Sequence, residues 1–236
     1  MTKRPPQVQI SMECETALDD YGDSFEGAGY TKSEAEADAI YEVMLRVIRD
    51  VDSPVSVLDF GCGLGHMKGF LDRSPHFDHV TYSGLDISRR YLEYAKSSYP
   101  DTTFYEIDIL SDHKSDLPTF DYIVMNGVFN YRGEVEEGEM LEYWERLLVE
   151  AYSYCRLGLA FNVMSKLVDW EREDLFYLSF RRMTEVVATQ LTRHFQIRHD
   201  YGAFEYTTYL YREPEPESPM RGTSPVITRA PDYDER

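Results

Sequence analysis

One run of nine residues constrains the chain more than any other: Val57-Leu58-Asp59-Phe60-Gly61-Cys62-Gly63-Leu64-Gly65. Val55 to Phe60 is short, apolar and β-branched, the pattern of a buried strand. Three alternating glycines follow, and then an amphipathic stretch to Leu71. A strand that passes through Gly-x-Gly-x-Gly into a helix needs a sharp turn whose backbone can lie bare against a ligand, because glycine carries no Cβ. In open α/β sheets, ligands sit at such carboxyl ends of strands. The spacing is not the Gly-x-Gly-x-x-Gly of pyrophosphate binding, and no Gly-Lys-Ser/Thr of a P-loop is present.

The rest of the chain alternates in the same way. Thr31 to Asp50 reads as a helix, opened by a Ser33/Glu36 capping box and carrying Ile40, Val43, Met44, Val47 and Ile48 at helical spacing. Strands are expected at Val80–Leu85, Thr103–Ile107, Phe120–Met125 and Leu157–Val163. Helices are expected at Ser88–Ser98 with Ser88 as N-cap, at Val135–Tyr152 and at Leu175–Arg193. Phe195–His199 and Phe204–Tyr211 close the pattern as two strands around a turn at Tyr201-Gly202. So short a link cannot make a parallel crossover, so the last strand should run antiparallel. The expected fold is α/β: a mostly parallel sheet with an antiparallel last strand and helices on both faces.

Composition narrows the function. Lys and Arg number 24 against 43 Asp and Glu, a formal net charge of −19 in 236 residues. The segment 213–236 holds five of the eleven prolines, six acids and three bases, and reads as a solvated, disordered tail. About −16 therefore stays on the rest, which disfavours nucleic acid and anionic membrane surfaces as partners. Cys14, Cys62 and Cys155 are an odd number at spacings that suit neither a zinc site nor a disulfide framework. No apolar leader or membrane-length run is visible, so a cytoplasmic location is expected. No metal site is expected.

Acids mark the strand ends. Asp59 is the first of them, at the end of the first strand, where it can cap the glycine turn. Asp86, in Gly84-Leu85-Asp86-Ile87-Ser88, lies 21 residues after Gly65, where a carboxylate can accept both hydroxyls of a ribose while Ile87 packs on a purine face. Asp108, in Glu106-Ile107-Asp108-Ile109-Leu110, either starts a turn or accepts from an adenine amine. After the fourth strand, Asn126 and Gly127 offer amide and backbone groups at a cleft mouth. Cys62, between two of the glycines, reads as a small filler rather than a nucleophile. His66 either meets a ligand carboxylate or is a polar helix residue.

The segments VLDFGCGLG, GLDIS, YEIDIL and FDYIVMNGVFNY occur in the order and spacing of one family. From about Ser33 to Tyr211 the chain resembles the class I S-adenosylmethionine-dependent methyltransferases. The resemblance implies a Rossmann-like, seven-stranded sheet with only the last strand reversed, and S-adenosylmethionine as methyl donor. It implies that Gly61, Gly63 and Gly65 flank the donor's methionine part and that Asp59 orients its amino group, directly or through water. Asp86 would hold the ribose, Ile87 would pack on adenine, and Asp108 would bond the adenine amine with Ile109 nearby. Asn126 and Gly127 would lie near the donor amino group. Three units follow: an N-terminal cover or lid (1–32) that includes Tyr21 and Tyr30, a donor-binding domain (33–212) and the tail (213–236).

The acceptor side is less defined. Asn126-Gly127-Val128-Phe129 lacks the two prolines of the Asn/Asp-Pro-Pro-Tyr/Phe stretch that holds a target nitrogen in base and glutamine methyltransferases. The expected acceptor is therefore a small molecule, methylated on oxygen or nitrogen by in-line displacement. His199 and Tyr131 are the first candidates for a base, with Asp200 and Glu205 beside them. Trp170, Phe176 and Tyr177 are expected to wall the acceptor pocket. Alternatives are a non-catalytic donor-binding scaffold, a peptide or protein methyltransferase, and transfer of another group such as aminopropyl. A protein partner would use the acidic surface or the tail.

Overall fold

The computed structural model describes residues 4–22, 24, 33–111 and 117–215. Its strands in chain order are β1 (Val55–Phe60), β2 (Val80–Asp86), β3 (Thr103–Glu106), β4 (Phe120–Met125), β5 (Cys155–Ser165), β6 (Tyr177–Leu178), β7 (Phe195–Arg198) and β8 (Glu205–Tyr211). Seven of them form one path, β3-β2-β1-β4-β5-β8-β7, and the two-residue β6 pairs with the end of β5. The sheet thus carries an eighth, short strand beyond the expected seven. β1 to β5 pair in parallel, and β8 runs antiparallel to both its neighbours. The strand order reverses between β1 and β4, which opens a crevice above their carboxyl ends.

Helices cover both faces: α2 (Glu34–Leu45), α3 (His66–Asp72), α4 (Arg89–Ser98), α5 (Glu137–Ser153) and α6 (Phe180–Val186). Local chemistry sets their starts. Ser33 and Glu36 form the expected capping box. The Ser88 hydroxyl accepts from the Tyr91 N–H at 3.2 Å, and Ser179 caps α6 in the same way. Successive strand residues face opposite sides. Leu58, Phe161 and Leu210 therefore join Trp144 and Leu148 of α5 in one core, while Val57, Tyr122 and Tyr209 join Met44 and Leu45 of α2 in the other.

Two regions depart from the expected elements. The helix expected over Leu175–Arg193 begins only at Phe180. Ahead of it, Phe176 N–H donates to the Asn130 carbonyl, Leu175 bridges Tyr131, and Tyr177 pairs with Met164, so strand-like partners capture this backbone. Beyond α6 the helix loosens into a π turn, Val187–Leu191, where the Thr189 hydroxyl bonds the Glu185 carbonyl.

The other departure is a 16-residue helix, α1 (Pro6–Tyr21), in what the sequence shows only as a covering segment. Proline stands at its first turn and Gly22, at φ 64°, ends it. Ile10, Cys14 and Leu18 form one stripe of this helix at i, i+4 and i+8. Leu18 and Cys14 pack with Leu64 and Tyr91, and Ile10 packs on the α5-side core. Tyr21 is exposed. Tyr30 and the tail beyond Glu215 lie outside the described residues. No helix among the described residues is long and apolar enough to cross a membrane.

Candidate active site

The glycine turn closes directly onto β2. The N–H groups of Gly61 and Cys62 both donate to the Leu85 carbonyl, at 2.7 and 3.0 Å. Gly61 has φ 73° and Gly63 φ 52°, the left-handed region that a Cβ penalises. A Cβ at Gly61 would also stand 2.8 Å from Val128 Cγ2. Gly65 takes φ 80° as it hands the chain to α3, which His66 opens. Cys62 is buried with its thiol pushed well up by desolvation, which suits a filler and not a nucleophile.

Asp86 is the hub of this turn. One carboxylate oxygen accepts from the Gly63 N–H at 2.9 Å and the other from the Ser88 N–H at 2.8 Å. Burial raises its pKa, and those backbone donors oppose the rise. Asp59 is fully enclosed and accepts from the Tyr82 hydroxyl at 2.8 Å. Desolvation pushes its pKa up to about 7, with the nearby Asp86 adding in the same direction. Neither acid forms an ion pair among the described residues, so this pocket has negative charge to offer a cationic group. Ile87 is half-buried at its rim, whereas Ile109 is buried in the α5-side core.

α1 lies across the carboxyl ends of three strands. The Gln7 side-chain amide donates to Asp108 at 3.0 Å, while the other Asp108 oxygen accepts from the Leu110 N–H at 2.9 Å. The Ser88 hydroxyl donates to Glu15 at 2.6 Å, the Tyr91 hydroxyl to the Cys14 carbonyl, and Arg90 pairs with Asp19. The Tyr131 hydroxyl donates to Glu13 at 2.9 Å, and a side chain at Gly133 would collide with the same glutamate. Burial pushes the Tyr131 phenol well up, with Glu13 adding to it.

A second polar cluster lies over β4, β5 and β8. Asn162, in mid-β5, accepts from the Gly127 N–H at 2.7 Å. Its own amide donates to Asn126 Oδ1 at 2.9 Å and to Glu205 Oε1 at 3.0 Å. The other Glu205 oxygen accepts from the Asn130 amide at 2.6 Å. Asn126 and Gly127 were expected at the site. Asn162 and the bridge to Asn130 were not, because 32 to 43 residues of chain separate the β4 loop, Asn162 and Glu205 and only sheet order brings them together.

Among the described residues, none of the remaining candidates gives a side-chain hydrogen bond to either cluster. His199 is exposed, its ring edge-on to Phe180 with centroids 5.7 Å apart. Asp200 is exposed and held below the usual carboxylate range by its hydrogen bond with Arg198. Phe176 and Tyr177 are buried by the β5–β6 pairing and line a cavity of about 150 Å³ with Arg132 and Arg172, while Trp170 is exposed. Among the described residues no group of three or more His, Cys, Asp or Glu is placed to hold a metal ion.

A model of the methyltransferase domain matches residues 58–153, from the middle of β1 to the end of α5. Over that segment the chain matches a methyltransferase domain, and it is similar to the class I S-adenosylmethionine-dependent methyltransferases. It is 26% identical to a Mycobacterium tuberculosis protein named as a methyltransferase, over 69% of this chain and 96% of that one. It is 30% identical to the malonyl-[acyl-carrier protein] O-methyltransferase of Halalkalibacterium halodurans, over 61% of this chain and 59% of that enzyme. Its fold is similar to that of the magnesium protoporphyrin IX methyltransferase of Synechocystis PCC 6803 with bound S-adenosylmethionine. The TM-score is 0.61 at 13% identity, over 90% of this chain and 99% of that one. The bare backbone at Gly61 and Gly63 and the two unpaired carboxylates suit a ligand that carries both a ribose and an ammonium group.

Proposed function

We propose that this methyltransferase moves the methyl group of S-adenosylmethionine to the oxygen or nitrogen of a small molecule. The observation that carries the reading is the glycine turn locked to Asp86 by the Gly63 N–H. There, Asp86 would take the ribose hydroxyls, Asp59 the amino group, and Gly61, Gly63 and Gly65 the methionine chain. Ile87 would flank the adenine and Asp108 its amine, with Ile109 supporting Asp108 from the core. Asn126 and Gly127 would face the donor's amino end. Donor binding would then draw Asp108 away from Gln7, making α1 a cover over the donor.

The sulfonium supplies an activated methyl with a neutral leaving group. The protein's task is then alignment and exclusion of water. α1 and the enclosed Asp59 suit the second need. A charge of about −16 outside the 213–236 segment favours neutral or cationic acceptors over phosphorylated ones. The missing prolines after Asn126 set it apart from base and glutamine methylation. Two of the similar proteins are named for malonyl-[acyl-carrier protein] and for magnesium protoporphyrin IX, and the second name supports a small-molecule acceptor here.

Calorimetric titration with S-adenosylhomocysteine, followed by product mass analysis over hydroxyl and amine acceptors, tests this reading. Binding with a 14-dalton gain on one acceptor is expected. A folded protein that does not bind the ligand contradicts it. Tight binding without transfer to any acceptor would point to a scaffold.

A further inference from the structure

We propose that Glu205 is the acceptor-facing carboxylate of this enzyme, receiving the proton-bearing hydroxyl or amine of a small molecule with an apolar frame. The inference rests on the donor-site reading above and names the group across the cleft from it. Glu205 is the first residue of β8, opposite Met164 near the end of β5, which places it on the same carboxyl edge as the glycine turn. It is only 5% exposed, yet among the described residues it forms no ion pair. A carboxylate taken out of water needs donors. Here it has two neutral amides, from Asn130 and Asn162, and Asn162 also holds Gly127 and Asn126. The carboxylate is therefore tied, through one side chain, to the segment expected beside the donor's amino end.

Two further observations point to a ligand proton at this place. Asn130 Oδ1 is buried and has no hydrogen-bond partner among the described residues, although the amide on the same side chain holds Glu205. An orphaned acceptor beside an unpaired carboxylate suits an O–H or N–H donor from outside the protein. The other acid–base candidates on this edge are committed elsewhere: Tyr131 to Glu13, Asp200 to Arg198, and His199 to an exposed contact with Phe180. The segments that follow β5 and precede β8 carry Leu167, Trp170 and Phe204, exposed to 69%, 71% and 75%. The Ser165 N–H joins these segments by donating to the Phe204 carbonyl at 2.9 Å. Phe204, the residue before Glu205, gives the apolar frame of an acceptor a surface next to the carboxylate.

In the transfer, a lone pair of the acceptor atom forms the new bond to the methyl carbon. The methyl–sulfur bond breaks and sulfur keeps its electron pair, leaving neutral S-adenosylhomocysteine. The proton displaced from the acceptor passes to the Glu205 carboxylate.

The test needs no knowledge of the acceptor. Sinefungin replaces the methyl-bearing sulfur of the donor with an amine-bearing carbon, so its ammonium projects toward the acceptor atom, whereas S-adenosylhomocysteine projects nothing there. The full chain and Glu205→Gln are titrated with both ligands by calorimetry. The expected result is a wild-type preference for sinefungin of about tenfold, the scale of a charge-assisted hydrogen bond. Glu205→Gln should abolish that preference while S-adenosylhomocysteine affinity stays within about twofold. Glu205→Asp should retain part of the preference. Equal weakening of both ligands would make Glu205 a structural prop and overturn the proposal, as would no change in either. Should Glu205→Gln fail to fold, a wild-type enzyme without preference for sinefungin overturns it alone. A wild type that binds neither ligand refutes the donor-site reading instead.

Discussion

The two halves of the carboxyl edge solve different problems with similar residues. On the β1–β3 half, Asp86 meets backbone donors, the N–H groups of Gly63 and Ser88, while Asp59 meets one side-chain hydroxyl. On the β4–β8 half, the Glu205 carboxylate meets side-chain amides from two other elements. Backbone donors at a glycine turn are tied to chain geometry and change little with sequence. Side-chain amides can be exchanged one by one. On the proposed reading, the first half would hold a donor of fixed structure and the second would be fitted to one acceptor.

The largest effect expected from this contrast is at Asp86. Asp86→Ala should weaken S-adenosylhomocysteine by about 100-fold or more, because it removes charge-assisted hydrogen bonds to the ribose and frees the Gly63 N–H. Glu205→Gln should leave that same ligand nearly unchanged. A comparable loss in both variants, read by calorimetry, would erase the distinction between the halves.

Gly61→Ala comes next. Its φ of 73° and the 2.8 Å approach to Val128 Cγ2 should destabilise the fold by about 1–3 kcal/mol, read as a lower melting temperature. Gly138→Ala, in α5 with open space around it, should be neutral or stabilising.

A proton provides the third separation. Asp59 titrates near 7 in the ligand-free protein, against about 4 when unfolded. The folded state therefore retains a proton that the unfolded state loses, and this site's contribution to stability declines as pH rises from about 4 to about 7. A donor ammonium beside Asp59 favours the carboxylate, so binding below pH 7 releases a proton. Affinity for S-adenosylhomocysteine should rise about fivefold from pH 6 to pH 7 and about twofold more before it levels off near pH 8. Calorimetry in buffers of different ionisation enthalpy counts the proton, and Asp59→Asn should abolish the dependence. A flat profile in the wild type would remove Asp59 from the amino-group role.

The smallest effect belongs to α1. Gln7 takes the Asp108 oxygen that the adenine amine is expected to use. Gln7→Ala should therefore strengthen donor binding a few-fold, on the scale of one neutral hydrogen bond. Weaker binding would mean that Gln7 helps to hold the donor.

Legibility in the sequence follows the same divide. The ends of β1, β2 and β4, the Ser33 capping box and the Ser88 cap all depend on residues within a few positions of one another, and the chain states them openly. Asn162 reads as one polar residue in a buried strand until β8 is laid beside it. Glu205 gains its meaning only from Asn130, 75 residues away. Phe176 and Tyr177 do line a cavity, but nothing local announces the pairing of β6 with β5 that buries them. α1 was visible in principle, through its proline start, its glycine stop and the Ile10-Cys14-Leu18 stripe. Its weak amphipathicity hides it among polar residues, since only the Ile10-Cys14-Leu18 stripe reaches buried neighbours.

A crystal structure with S-adenosylhomocysteine bound tests the central claim most directly. The expected result places both ribose hydroxyls on the Asp86 carboxylate, the amino group beside Asp59, and the adenine amine on Asp108 in place of Gln7. A ligand lying over β5 and β8, or one that leaves Asp86 without a ribose contact, would contradict the account.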